Sequence, residues 1–137
     1  MERLLVAVDG SPPSEAALDF AAEEWPDADL VLLHVIDPVE GGYSASAVGA
    51  TSEAWYERER EDAAALLESA ADGVDGEPET RVEVGRPAAT IVEAAADEDA
   101  DGVVVGSHGR NGVSRVLLGS VAEAVVRQST VPVTVVR

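Results

Sequence analysis

The chain has 137 residues, 27 of them acidic against 9 basic, with a formal net charge of −18 and no cysteine. That length buries a self-sufficient core without disulfides or metal, and the missing thiols exclude a disulfide framework and thiolate chemistry. A surface acidic along its whole length repels nucleic acid and anionic lipid, so neither is an expected partner.

All nine basic residues are arginine. An acidic, lysine-free but well-patterned sequence suits a salt-rich cytosol, where the Debye length is about 3 Å at 1 M and self-repulsion is screened. A halophilic source is therefore expected, with an ordinary acidic mesophilic protein as the alternative. Met1-Glu-Arg runs straight into Leu4 to Val8, which leaves no room for a signal peptide or a membrane span, so the expected location is cytoplasmic. Two isolated histidines do not make a structural zinc site.

Leu4 to Val8 reads as a strand buried on both faces and ended by Asp9-Gly10. Ser11 can N-cap the next helix with Pro12 at its first position; Ala17, Phe20 and Ala21 form the apolar stripe, and Trp25-Pro26 stops it. Leu30 to Ile36 is the second strand, closed by Asp37-Pro38, and Val39 to Thr51 reads as a mobile loop. A long amphipathic helix follows from about Glu53 to Ala71, its Glu57 to Glu61 charge run being a solvated face.

Thr80 to Val84 is the third strand. Gly85-Arg-Pro87 opens a helix through about Ala96, with Ile91, Val92 and Ala95 as its buried stripe. Asp101-Gly102 introduces the fourth strand, Val103 to Val105. Ser120-Val-Ala-Glu123 has capping-box spacing for the last helix, and Val131 to Val136 is a fifth strand with proline at its start. Without a repeat or linker, residues 1–137 read as one α/β domain, an open parallel sheet with helices on both faces.

Two strand ends carry loops suited to a ligand. After the fourth strand, glycines 106, 109, 112 and 119 let backbone approach an anion, and N–H groups near Ser120 add the positive end of a helix dipole. The same glycines also suit a plain strand-to-helix turn. After the first strand, Asp9 either forms an Asx turn or accepts bonds from ribose hydroxyls across the crevice. Arg110 and Arg115 flank the cradle, as phosphate partners or as solvated ion pairs. His108 lies within the loop, within reach of phosphate or backbone. His34, inside a strand, reads as a satisfied core imidazole. A P-loop is excluded by the absence of lysine, and no Gly-x-Gly-x-x-Gly follows the first strand.

The spacing Gly106-x2-Gly109-x9-Gly119-Ser120, the opening Val6-Ala-Val-Asp9-Gly-Ser11, the Leu33-His34-Val35 strand end and the closing Val131-Pro132-Val133 together resemble the ATP-binding universal stress proteins. The resemblance spans essentially the whole chain. It implies a Rossmann-like sheet of the adenine nucleotide alpha hydrolase type, in strand order 3-2-1-4-5, and a cytoplasmic homodimer joined through Val131 to Val136. It also implies an adenine nucleotide (ATP, or AMP or ADP), with Mg2+ on the phosphates. Carried over by position, Asp9 would contact ribose while Ala7 and Val35 border adenine and Val105 backs the pocket. Gly106, Gly109, Gly119, Ser120 and Val121 would hold ribose and phosphates, with Arg110 beside them. The expected role is a nucleotide-dependent regulatory or protective dimer; a slow ATPase and a nucleotide-free interaction module are the alternatives.

Overall fold

The computed structural model describes residues 2–39, 50–108 and 118–137. In chain order the elements are β1 (Arg3–Ala7), α1 (Pro12–Glu24), β2 (Asp29–Ile36), α2 (Ala50–Asp72), β3 (Glu79–Val84), α3 (Pro87–Asp97), β4 (Gly102–Gly106), α4 (Ser120–Gln128) and β5 (Val133–Val136). The five strands form one parallel sheet in the order β3-β2-β1-β4-β5. Val6 of β1 lies in register with Leu32 on one side and Val104 on the other.

Alternate strand residues serve opposite faces, as the pleat requires. Leu5, Val31, Leu33, Val103 and Val105 pack with Ile91, Ala95 and Val125, beneath α3 and α4. Leu4, Val6, Leu32 and Val104 pack with Ala17, Ala21 and Leu67, beneath α1 and α2. The uninterrupted apolar runs of the central strands follow from this double covering. Each such large side chain contributes about 1.5–3 kcal/mol of burial.

Ser11 caps α1, its Oγ accepting from the Ser14 N–H at 3.3 Å, and Pro12 opens the helix. The buried stripe is Ser14, Ala17, Leu18 and Ala21. Phe20, expected within that stripe, is 37% exposed and meets Trp25 edge-on instead. On α3 the buried positions are Ile91, Ala94 and Ala95. Val92, predicted there, is only half-buried, because the helical period turns it one position off the sheet. Ala50 and Thr51 are already helical, so α2 starts earlier than the Val39 to Thr51 loop reading allows; residues 40–49 of that loop lie outside the described residues.

The largest departure concerns α4. Its N-cap is Gly119, not Ser120, and among the described residues no side chain caps it. Glu123 pairs with Arg127, one turn on, at 2.6 Å rather than reaching back to Ser120. The i,i+4 geometry on the helix surface favours this bond over the capping box.

At the amino ends of the strands, an ion cluster joins three elements. The Arg3 guanidinium bonds Glu98 at 2.6 Å and Glu79 at 2.7 Å, and its Nε donates to the Glu98 carbonyl at 2.8 Å. Arg81 reaches the other Glu98 oxygen at 3.1 Å, along with Asp97 and Glu83. The Arg3 bond foremost, and Arg81 with it, holds the Glu98 carboxyl below its ordinary value. Composition showed the arginines but not this convergence, which depends on strand order.

Candidate functional site

β1 and β4 are neighbours, but β1 leads to a helix on one face and β4 to a helix on the other. Their carboxyl ends therefore flank a switch point, the place where an open α/β sheet leaves a crevice. A cleft of about 390 Å³ opens there, inside the roughly 300–1,000 Å³ range of small-molecule sites.

Eight of the ten residues singled out from sequence border this cleft. Ala7, Val35 and Val105 line it from three strands, Asp9 stands at the β1 exit, and Gly106, Gly119, Ser120 and Val121 border it from the β4 and α4 side. Gly109 and Arg110, and with them Arg115, lie outside the described residues.

Asp9 forms the Asx turn. Its Oδ1 accepts from the Ser11 N–H at 2.9 Å and from the Ser11 hydroxyl at 2.5 Å. Its own N–H donates to Ser14 Oγ at 3.0 Å. His34 is the satisfied imidazole expected of a strand interior: it is 6% exposed, with Nδ1 2.7 Å from the Val8 carbonyl. A carbonyl only accepts, so Nδ1 carries the proton. Sequence reasoning did not associate His34 with the cleft, yet it lines the wall. Ser14 was missed altogether; its one signal was a polar residue on the apolar stripe of α1, three positions after the cap.

The glycines divide by role. A Cβ on Gly106 would lie 2.7 Å from the Pro13 carbonyl carbon, so this glycine admits the first turn of α1 against β4. The Gly119 N–H donates to the Ser107 carbonyl at 2.6 Å, joining the exit of β4 to the start of α4. That N–H is thereby spent within the protein rather than held for an anion. Next to it, His108 Nδ1 lies 3.0 Å from Ser107 Oγ.

Beyond Gly119, the first intrahelical bond of α4 runs from the Glu123 N–H to the Gly119 carbonyl at 2.9 Å. Ser120, Val121 and Ala122 border the cleft ahead of it. An α-helix leaves the N–H groups of its opening turn without intrahelical acceptors, and they carry the positive end of its dipole. The cleft thus has an apolar wall, a carboxylate at one exit and a helix amino end at the other. Among the described residues, no group of three His, Asp or Glu side chains is arranged to hold a metal ion, and no helix is long and apolar enough to cross a membrane.

A doubly wound parallel sheet with this cleft at its switch point defines a Rossmann-like fold. The chain belongs to the universal stress protein family, whose model matches residues 1–137. It is 40% identical over 140 residues to a universal stress protein of Mycolicibacterium smegmatis, a match covering 98% of this chain and 45% of that protein. The chain thus spans less than half of that relative's length. Among solved structures, the universal stress protein UspA of Lactobacillus plantarum is 26% identical with a TM-score of 0.86, covering 99% of this chain and 97% of the other. A universal stress protein from Archaeoglobus fulgidus, solved in complex with dAMP, is 25% identical with a TM-score of 0.70, covering 100% and 98%.

Proposed function

We propose that this chain binds an adenine nucleotide, ATP foremost, in the cleft between the β1 and β4 exits, and that the bound nucleotide sets the state of a regulatory dimer. The observation that carries the reading is the amino end of α4, which no side chain among the described residues caps, opening on the cleft that Asp9 also borders. A helix amino end favours phosphate, and an acid at the first strand's exit favours ribose hydroxyls. The dAMP bound by the Archaeoglobus relative supports the adenine class.

In this reading Ala7, Val35 and Val105 flank the base and Asp9 holds the ribose. Ser120 and Val121 meet the phosphates with main-chain N–H groups, while Gly106 and Gly119 keep the two exits close. Gly109 and Arg110 complete the phosphate end, and a divalent ion such as Mg2+ arrives on the phosphates. ATP then stabilises whichever conformation it prefers, by linkage.

The dimer forms through β5. That strand ends the sheet order, so among the described residues one side of it has no strand beside it and can pair with a second copy. The charge of −18 argues against nucleic acid as a partner and for a salt-rich cytoplasm.

Mass spectrometry of small molecules released on denaturing the purified protein tests this reading. Intact ATP supports a binder, mostly ADP supports slow turnover, and no nucleotide together with no thermal shift on added ATP favours a nucleotide-free interaction module.

A further inference from the structure

Four polar side chains are buried among the described residues, Ser11, Ser14, His34 and Ser107, and three of them converge on the exit of β1. The His34 Nδ1–H holds the Val8 carbonyl at 2.7 Å from the β2 side. From the α1 side, Ser14 Oγ accepts the Asp9 N–H at 3.0 Å and donates at a longer 3.4 Å to the Ala7 carbonyl. The Val8 N–H donates to the Leu33 carbonyl at 2.8 Å, so the backbone is held from both flanking elements. Ser11 then fixes the side chain, both of its bonds falling on Asp9 Oδ1.

A strand end exposed to a cleft needs none of this, because water can satisfy its N–H and C=O groups. Buried polar side chains cost free energy unless bonded, and here they are spent on holding two successive peptide units in place. We propose that Ser14 and His34 are positioning residues: a two-sided brace that presents the Asp9 carboxylate to the cleft in its binding geometry before any ligand arrives. Such preorganisation raises affinity by removing the ordering cost at the moment of binding. The brace rests on the nucleotide reading above and adds to it which side chains of the cleft wall, beyond the ligand contacts named there, set its affinity.

The test is a double-mutant cycle with ATP as the probe, read by titration calorimetry on the full chain. Ser14→Ala and His34→Leu each weaken ATP binding about three- to tenfold, the scale of one net hydrogen bond. In an Asp9→Ala background the same substitutions weaken it less than about twofold further, because their effect passes through Asp9. His34→Asn, which keeps an N–H donor near the Nδ1 position, restores most of the affinity that His34→Leu loses. Equal losses with and without Asp9, or no rescue by asparagine, overturn the brace in favour of a merely structural role. Where His34→Leu fails to fold, Ser14→Ala alone completes the cycle. Loss of ATP binding in Asp9→Ala with additive brace variants leaves the nucleotide reading standing; absence of ATP binding by the unsubstituted protein overturns both.

Discussion

Gly106 at the end of β4 lies directly against Pro13 in the first turn of α1: an added Cβ would come within 2.7 Å of the Pro13 carbonyl carbon and 2.8 Å of its oxygen. Backbone cannot swing aside as a side-chain tip can. Gly106→Ala therefore destabilises the fold by about 1–3 kcal/mol, the range of overpacking. Urea denaturation checks this, with a lower midpoint and an unchanged slope expected.

Asp99, just past α3, has φ of 51°, the left-handed region. Its N–H bonds the Ala96 carbonyl and the Ala100 N–H bonds the Ala95 carbonyl, the pattern of a helix end that turns left-handed. Glycine has no Cβ to resist that turn, so Asp99→Gly stabilises the protein by about 0.5–1 kcal/mol. A raised thermal midpoint is the expected reading.

Glu98 titrates lower in the folded protein than in the unfolded chain, chiefly through its bond to Arg3. A depressed carboxyl contributes stability that is present above the unfolded value, about pH 4.3 for glutamate, and lost as pH falls through the folded one. Glu98→Gln thus destabilises the protein at neutral pH, and the deficit relative to the unsubstituted chain shrinks on acidification below about pH 4. Parallel thermal midpoints from pH 7 to pH 3 measure it; a constant gap contradicts the assignment.

Gly119 has φ of −70°, so any residue fits its backbone, and only space restricts it. A Cβ there would lie 3.0 Å from the Ser107 carbonyl oxygen and 3.2 Å from the His108 Cα. Gly119→Val pushes the β4 exit from the start of α4, and ATP binding weakens about tenfold or more, as expected when a binding geometry shifts by a fraction of an ångström. Calorimetry reads the affinity, and circular dichroism verifies the fold.

The sheet was legible in the sequence because its central strands are apolar runs ended by Asp-Gly and Gly-Ser punctuation, and such runs have no other stable use at that length. Strand order came from the family resemblance, since nothing local in Leu4 to Val8 says which strands flank it. For Asp9 the sequence left an Asx turn and a ribose contact both open, and the Asx turn is the bond its Oδ1 makes. Ser120 was misjudged as a cap because a Ser-x-x-Glu pattern is blind to the glycine before it. Ser14 and His34 escaped association with the cleft for a different reason: each bonds backbone that only the packing of α1 and β2 around β1 brings within reach. The reason for Gly106 was equally hidden, since its neighbour Pro13 is far away in sequence.

The central claim is that the cleft between the β1 and β4 exits receives an adenine nucleotide, and direct titration of ATP into nucleotide-free protein by calorimetry tests it most simply. The account predicts saturable binding at one site per chain, weakened by Asp9→Ala and by Gly119→Val. Absence of heat at millimolar ATP, together with an unchanged thermal midpoint, contradicts it.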